Sequence, residues 1–156
     1  MDAWVQLRPS AARCYHSEAS WDQTLPKKLV IAVVDDDQSV REALAGLMKS
    51  LGYGSVAFQS GEDFLNSGQR QGAACLIADV QMPGMTGPEL YDRLLSTGKP
   101  IPTILITAYP DMAMRARVLR AGVRGYLAKP FSEDDLLDCL QSALGPHANG
   151  NSEHGD

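Results

Sequence analysis

A chain of 156 residues, 44% of them hydrophobic, can bury one ordinary globular core and falls short of two. Its net charge of −5, with no basic run that could track phosphates, argues against a dedicated nucleic-acid binder. Cys14, Cys75 and Cys139 are odd in number and far apart, which suggests neither a disulfide framework nor a zinc site and fits a reducing cytosol.

Residues 1 to 28 mix Trp4, Trp21, Pro9, Pro26 and scattered charges without a helical or strand period, so they are expected to form a poorly ordered N-terminal extension. Leu29 to Val34 then reads as a strand. Val40, Leu44, Leu47, Met48 and Leu51 recur at helical spacing, and Gly52 closes that helix. A second strand near Ser55 to Phe58 leads to Ser60-x-x-Asp63, a capping-box-like start for a short helix with Phe64 and Leu65.

Ala74 to Asp79 reads as the third strand. The turn-rich Met82-Pro83-Gly84-Met85-Thr86-Gly87 follows, then a helix with Leu90, Leu94 and Leu95 on one face. Ile101 to Thr107 is the fourth strand and Asp111 to Ala121 the fourth helix; Val123 to Ala128 is the fifth strand. Ser132-x-x-Asp135 opens a last helix with Leu136, Leu137, Leu140 and Leu144, which Gly145-Pro146 stops. Five βα units in residues 29 to 144 make a three-layer α/β sandwich around a parallel sheet, and residues 145 to 156 read as a disordered tail.

Several strands end in a chemically useful residue. The carboxyl ends of parallel strands are where open α/β sheets place their sites, so Asp35, Asp36, Asp79, Thr107 and Lys129 should converge. His16, His147 and His154 all lie outside the core segment, which leaves no imidazole for most hydrolase mechanisms. No stretch approaches the roughly 18 apolar residues of a membrane span, and the first residues lack a secretory pattern, so a cytoplasmic protein is expected.

Taken alone, Asp35 to Asp37 could be only a turn and a helix cap, Lys129 a surface lysine and Thr107 an ordinary strand residue. Gathered together they have a chemistry. Clustered carboxylates repel, so one of Asp35, Asp36 and Asp79 would have a raised pKa unless a cation intervened. A hard divalent ion solves this, and Mg²⁺, with its preference for oxygen ligands, suits the inventory better than zinc. Asp79 would keep a free oxygen able to attack phosphorus and form an aspartyl phosphate, with Lys129 and the Thr107 hydroxyl placed to meet the phosphoryl oxygens.

These residues resemble the receiver domain of two-component response regulators. The match runs from about Leu29 to Leu144 and includes Asp35-Asp36, Asp79-Val80-Gln81-Met82-Pro83-Gly84-Met85-Thr86-Gly87, Ile106-Thr107-Ala108 and Tyr126-x-x-Lys129-Pro130-Phe131. The resemblance implies a flavodoxin-like doubly wound sheet in strand order 2-1-3-4-5. It implies that Asp79 is phosphorylated by a sensor histidine kinase or a histidine phosphotransfer protein. It further implies that Asp36, Asp79 and the Gln81 backbone carbonyl bind Mg²⁺, with Asp35 helping through water, and that Thr107 and Tyr126 form a coupled switch. A cis peptide before Pro130, aiming Lys129 into the pocket, is part of the same pattern. Asp37 is a third acid, assigned to capping the first helix, and Tyr109-Pro110 should stiffen the loop before the fourth helix.

About a dozen residues follow Leu144, so the expectation is a stand-alone receiver with no nucleic-acid binding of its own and no turnover substrate. Its output would be a population shift of the surface formed by the fourth helix, fifth strand and fifth helix. There Arg115, Arg117, Arg120 and Arg124 concentrate positive charge, either as a solvated face or as a partner face for a downstream protein or a second receiver in a phosphorylated homodimer. Two rival readings stand beside this one. Asp35-x-Asp37 with Ser39 superficially has the spacing of a haloacid-dehalogenase-like Mg²⁺-dependent phosphatase, and the receiver fold could serve as a phosphate-independent interaction module. Gly52-x-Gly54-x-x-Ala57 formally fits a dinucleotide fingerprint, but it leaves a helix and enters a strand, the wrong order for binding pyrophosphate.

Overall fold

The apolar runs form five parallel strands: β1 (Val30–Val34), β2 (Gly54–Phe58), β3 (Cys75–Asp79), β4 (Thr103–Thr107) and β5 (Gly125–Ala128). They are hydrogen-bonded in the order β2-β1-β3-β4-β5, as the resemblance implied. The computed structural model describes residues 28–98 and 100–145. The extension expected over residues 1–28 and the tail expected over 145–156 therefore lie outside the described residues, but for Lys28 and Gly145.

Among the described residues, five α-helices connect and follow the strands: α1 (Gln38–Ser50), α2 (Gly61–Asn66), α3 (Gly87–Ser96), α4 (Met112–Ala121) and α5 (Glu133–Leu144). Each begins where a short polar side chain accepts a backbone N–H left over at the helix start. Asp37 caps through Ser39 N, Ser60 through Asp63 N, Asp111 through Ala113 N and Ser132 through Asp135 N, while Thr86 and Glu89 make a reciprocal capping box. Such a cap contributes about 1 kcal/mol, enough to fix where each helix starts.

Alternation along the strands divides the core into two layers. Ala32, Val34, Leu76, Ala78 and Leu105 face Phe64 of α2, Leu90, Tyr91 and Leu94 of α3, and Val118 of α4. Their strand neighbours Ile31, Val33, Cys75, Ile77, Ile104 and Ile106 face Leu44 and Met48 of α1 and Leu136, Leu140 and Ala143 of α5. The central strands β3 and β4 are buried at every position, which is why they read as unbroken apolar runs instead of alternating ones.

The strand ends differ from the sequence expectation by one or two residues, for local reasons. β4 starts at Thr103 and not at Ile101 because Pro102 has no N–H to give a ladder; its carbonyl still accepts from Leu76 N at 2.9 Å. β5 starts at Gly125 because Val123 N is committed to Val118 O at 3.0 Å, closing α4. A 3₁₀ turn at Arg70–Gly72, absent from the sequence reading, leads into β3.

Register places the strand ends side by side. Val34 pairs with Ala78, Asp79 with Ile106, and Thr107 with Ala128, so Asp35, Asp79, Thr107 and Lys129 lie along one edge of the sheet. The Lys129–Pro130 peptide is cis. Beneath this edge, a Cβ on Gly87 would sit 2.5 Å from the Asp79 carbonyl oxygen and 3.0 Å from Leu105 Cδ2. Backbone cannot yield as a flexible side chain would, so Gly87→Ala is expected to destabilise the fold by about 1–3 kcal/mol, read as a lower urea midpoint with an unchanged slope.

Candidate functional site

Three carboxylates meet at the carboxyl end of the sheet. Asp35, one residue past β1, and Asp79, the last of β3, are buried, while Asp36 is exposed at the rim; each offers an oxygen within 4.8 Å of the other two. Lys129, one residue past β5, extends over the cluster, with Nζ 3.2 Å from Asp35 Oδ2 and 3.2 Å from Asp79 Oδ1. Only the first of these contacts has the geometry of a hydrogen bond. Asp79 Oδ1 is buried and accepts none, despite its ion-pair distance to the ammonium.

The loop after β1 is built around Asp35. Its Oδ1 accepts from Asp37 N at 2.9 Å, and its backbone carbonyl accepts from Arg41 Nη1 at 2.8 Å. Asp37 turns the other way and takes both the N–H (2.9 Å) and the hydroxyl (2.8 Å) of Ser39, which hold its carboxyl below the usual range. The acid and hydroxyl that a dehalogenase-like reading requires are thus consumed by a helix cap.

Burial is the main force on Asp79. With the neighbouring Asp35 carboxylate, and a smaller push from Asp36, it raises the pKa to about 6 against the opposing attraction of Lys129. Burial also works against the Lys129 charge, but the attraction of Asp35 and Asp79 outweighs it and holds the ammonium pKa above its ordinary value. One cation shared between two buried carboxylates is too little. The donor set, all carboxylate oxygens with one of them buried and accepting no hydrogen bond, fits a hard divalent cation such as Mg²⁺.

Thr107, at the end of β4, is fully buried. Its hydroxyl donates to Gln81 Oε1 at 2.8 Å and accepts from Tyr109 N at 2.9 Å. Tyr126 on β5 is half-buried, its ring packed against the α2–α3–α4 side of the core. Its hydroxyl accepts from Asp111 N at 3.1 Å and contacts Asp111 O at 3.5 Å, which ties β5 to the start of α4. The arginines do not join the pocket. Arg115, Arg117, Arg120 and Arg124 are exposed, Arg117 resting on Met114 Sδ (3.2 Å) and Arg124 bridging to Ser142 O (3.2 Å).

The sequence matches the response regulator receiver domain family over residues 31–141. The chain belongs to that family. The response regulator protein TodT of Pseudomonas putida is 39% identical over 115 residues, 74% of this chain and 51% of TodT. The solved response regulator StyR superposes with a TM-score of 0.71 at 39% identity, covering 79% of this chain and 62% of that one. A receiver protein from Burkholderia phymatum does so with a TM-score of 0.66 at 39% identity, covering 76% and 96%. The chain spans about half the length of curated relatives such as TodT.

Of the five strand-end residues expected to converge, the structure brings Asp35, Asp36, Asp79 and Lys129 together, while the Thr107 hydroxyl, at the same edge, turns to Gln81. Two contacts lie beyond what the sequence pattern shows: the Gln81 side chain, and not only its backbone carbonyl, serves the site by holding the Thr107 hydroxyl, and Arg41 secures the Asp35 carbonyl. Neither bond leaves a periodic signal, since both join exposed or half-exposed polar side chains to strand ends. Among the described residues, no helix is long and apolar enough to cross a membrane.

The raised pKa of Asp79 sets a stability signature. Its folded value lies above its unfolded one, so its contribution is fully present below about pH 4 and lost as pH rises through about 6. At pH 7.5 without divalent cations, the charged carboxylate costs the fold on the order of 2 kcal/mol. Asp79→Asn is expected to raise Tm by several degrees under those conditions and to lose that advantage near pH 4. Calorimetric scans across pH check this.

Proposed function

We propose that this receiver takes a phosphoryl group on Asp79 from a sensor histidine kinase or a histidine phosphotransfer protein, as one step of a two-component phosphorelay in the cytoplasm. The observation that carries the reading is the meeting of Asp35, Asp36 and Asp79 under the Lys129 ammonium. A carboxylate oxygen of Asp79 attacks phosphorus, the P–N bond to the donor imidazole breaks, and that imidazole leaves with the bonding pair.

Asp35, Asp36, Asp79 and the Gln81 backbone carbonyl would hold Mg²⁺, whose charge offsets the clustered acids and the incoming phosphoryl oxygens. Lys129 is the fixed cation already inside the pocket and would pair with one of those oxygens. The Thr107 hydroxyl would donate to another, and Tyr126 would move with it as a switch, releasing its bond to the start of α4. Residues 29–144 act as the receiver unit in this reading. It has no turnover substrate and binds no nucleic acid itself.

The exposed arginines on and just after α4 suit an acidic surface on a downstream protein, or the acid-rich first turn of α5 (Glu133, Asp134, Asp135) on a second receiver. Phosphorylation would bias this face between two arrangements, one of which the partner binds better. The gathering of Asp35, Asp36 and Asp79 supports this reading over a phosphate-independent module, because carboxylates crowded and buried in this way work against ionisation of Asp79 and so against the stability of the fold.

Incubation with phosphoramidate and Mg²⁺ should label the chain about once per molecule, seen as a shifted band on a phosphate-affinity gel. Asp79→Asn should abolish the shift, and EDTA should suppress it. Catalytic consumption of p-nitrophenyl phosphate would instead favour a phosphatase. For the partner face, Arg117→Glu with Arg120→Glu should weaken capture of the downstream protein about tenfold while labelling at Asp79 stays at the wild-type level, measured by pull-down and gel side by side.

A further inference from the structure

A hydroxyl has one proton to give. Thr107 gives it to Gln81 Oε1 at 2.8 Å, and its oxygen is filled by Tyr109 N at 2.9 Å. One strand over, Asp79 Oδ1 is buried with no hydrogen bond at all. The buried donor nearest in purpose to the acceptor site is therefore engaged elsewhere, by a side chain from the loop that follows β3.

We infer that Gln81 is a positioning residue that latches the Thr107 hydroxyl away from the Asp79 pocket and so sets the threshold for switching. The inference deepens the proposed function and rests on it: a phosphoryl oxygen on Asp79 must compete with the Gln81 amide for a single proton. Thr107 is fully buried, so its hydroxyl depends on an acceptor brought to it, and in this reading Gln81 and the phosphoryl group compete for that place. Gln81 itself is exposed, so its amide rehydrates on release and the latch opens at small cost. A neutral hydrogen bond of this kind changes an equilibrium by roughly fivefold, which suits a bias better than a block.

The role belongs to the side chain alone. The Gln81 carbonyl proposed as a metal ligand is backbone and survives any substitution, so removing the amide tests the latch without dismantling the metal site. Gln81→Met keeps the length of the side chain and removes the acceptor, on an exposed loop position where folding is not at stake. Thr107→Val keeps the branched shape and removes the hydroxyl.

The test is a double-mutant cycle on the affinity for beryllofluoride, a phosphoryl mimic, in the presence of Mg²⁺, read by ¹⁹F NMR on the full chain. Gln81→Met is expected to bind about fivefold more tightly than wild type, and to make no difference when introduced into Thr107→Val. Unchanged or weaker binding by Gln81→Met, or the same tightening in the Thr107→Val background, overturns the latch while leaving Asp79 as the acceptor. A folded wild type that takes up no beryllofluoride overturns the acceptor reading, and the latch with it.

Discussion

Electrostatic crowding at the carboxyl edge of the sheet governs this molecule. Strand register brings Asp35 and Asp79 together, and burial denies both the water that would ordinarily screen them. Lys129 offsets part of the repulsion, and no more: one ammonium faces two buried acids and a third at the rim, and Asp79 stays reluctant to ionise. Uncompensated charge of this kind would be relieved by a bound cation, and any such binding would tie the energetics of the fold to the chemistry of its ligands.

The surrounding structure makes that crowding possible. Side-chain caps start each helix at a defined residue, and with only Asp35, Asp36 and Asp37 between β1 and α1, Asp35 and Asp36 have little room to move away from the sheet edge. Gly87 allows α3 to begin against the Asp79 carbonyl. Asp35 is held by Asp37 N and, through its own carbonyl, by Arg41. The pocket is thus fixed by contacts at its back, which leaves the Asp79 side chain without a neutral partner.

Much of this was legible in the sequence, because it follows from patterns the chain cannot hide. Buried parallel strands need unbroken apolar runs, helices need a cap and a 3.6-residue stripe, and sites on such sheets lie past the strand ends. Where Pro102 and the turn after α4 intervene, the strands start later than their apolar runs suggest, since a ladder requires N–H groups as well as apolar side chains. The 3₁₀ turn before β3 has no comparable signature. The bonds of Thr107 to Gln81 and of Tyr126 to the start of α4 were also out of reach. They join residues 26 and 15 positions apart through single polar contacts, and only coordinates reveal which of several possible partners a hydroxyl selects.

The two-sided core has a further consequence. Because odd and even strand positions feed separate layers, the sheet acts as a bulkhead: α1 and α5 rest on one compartment, α2, α3 and α4 on the other. Tyr126 belongs to the compartment of α4, and its hydroxyl is fastened to that helix's first residues. If the proposed switch repacks α4, the change would fall on one side of the partition, while the interdigitated side chains of the opposite layer need not take part. The partition would then divide the labour of a single small domain between a chassis and a moving part.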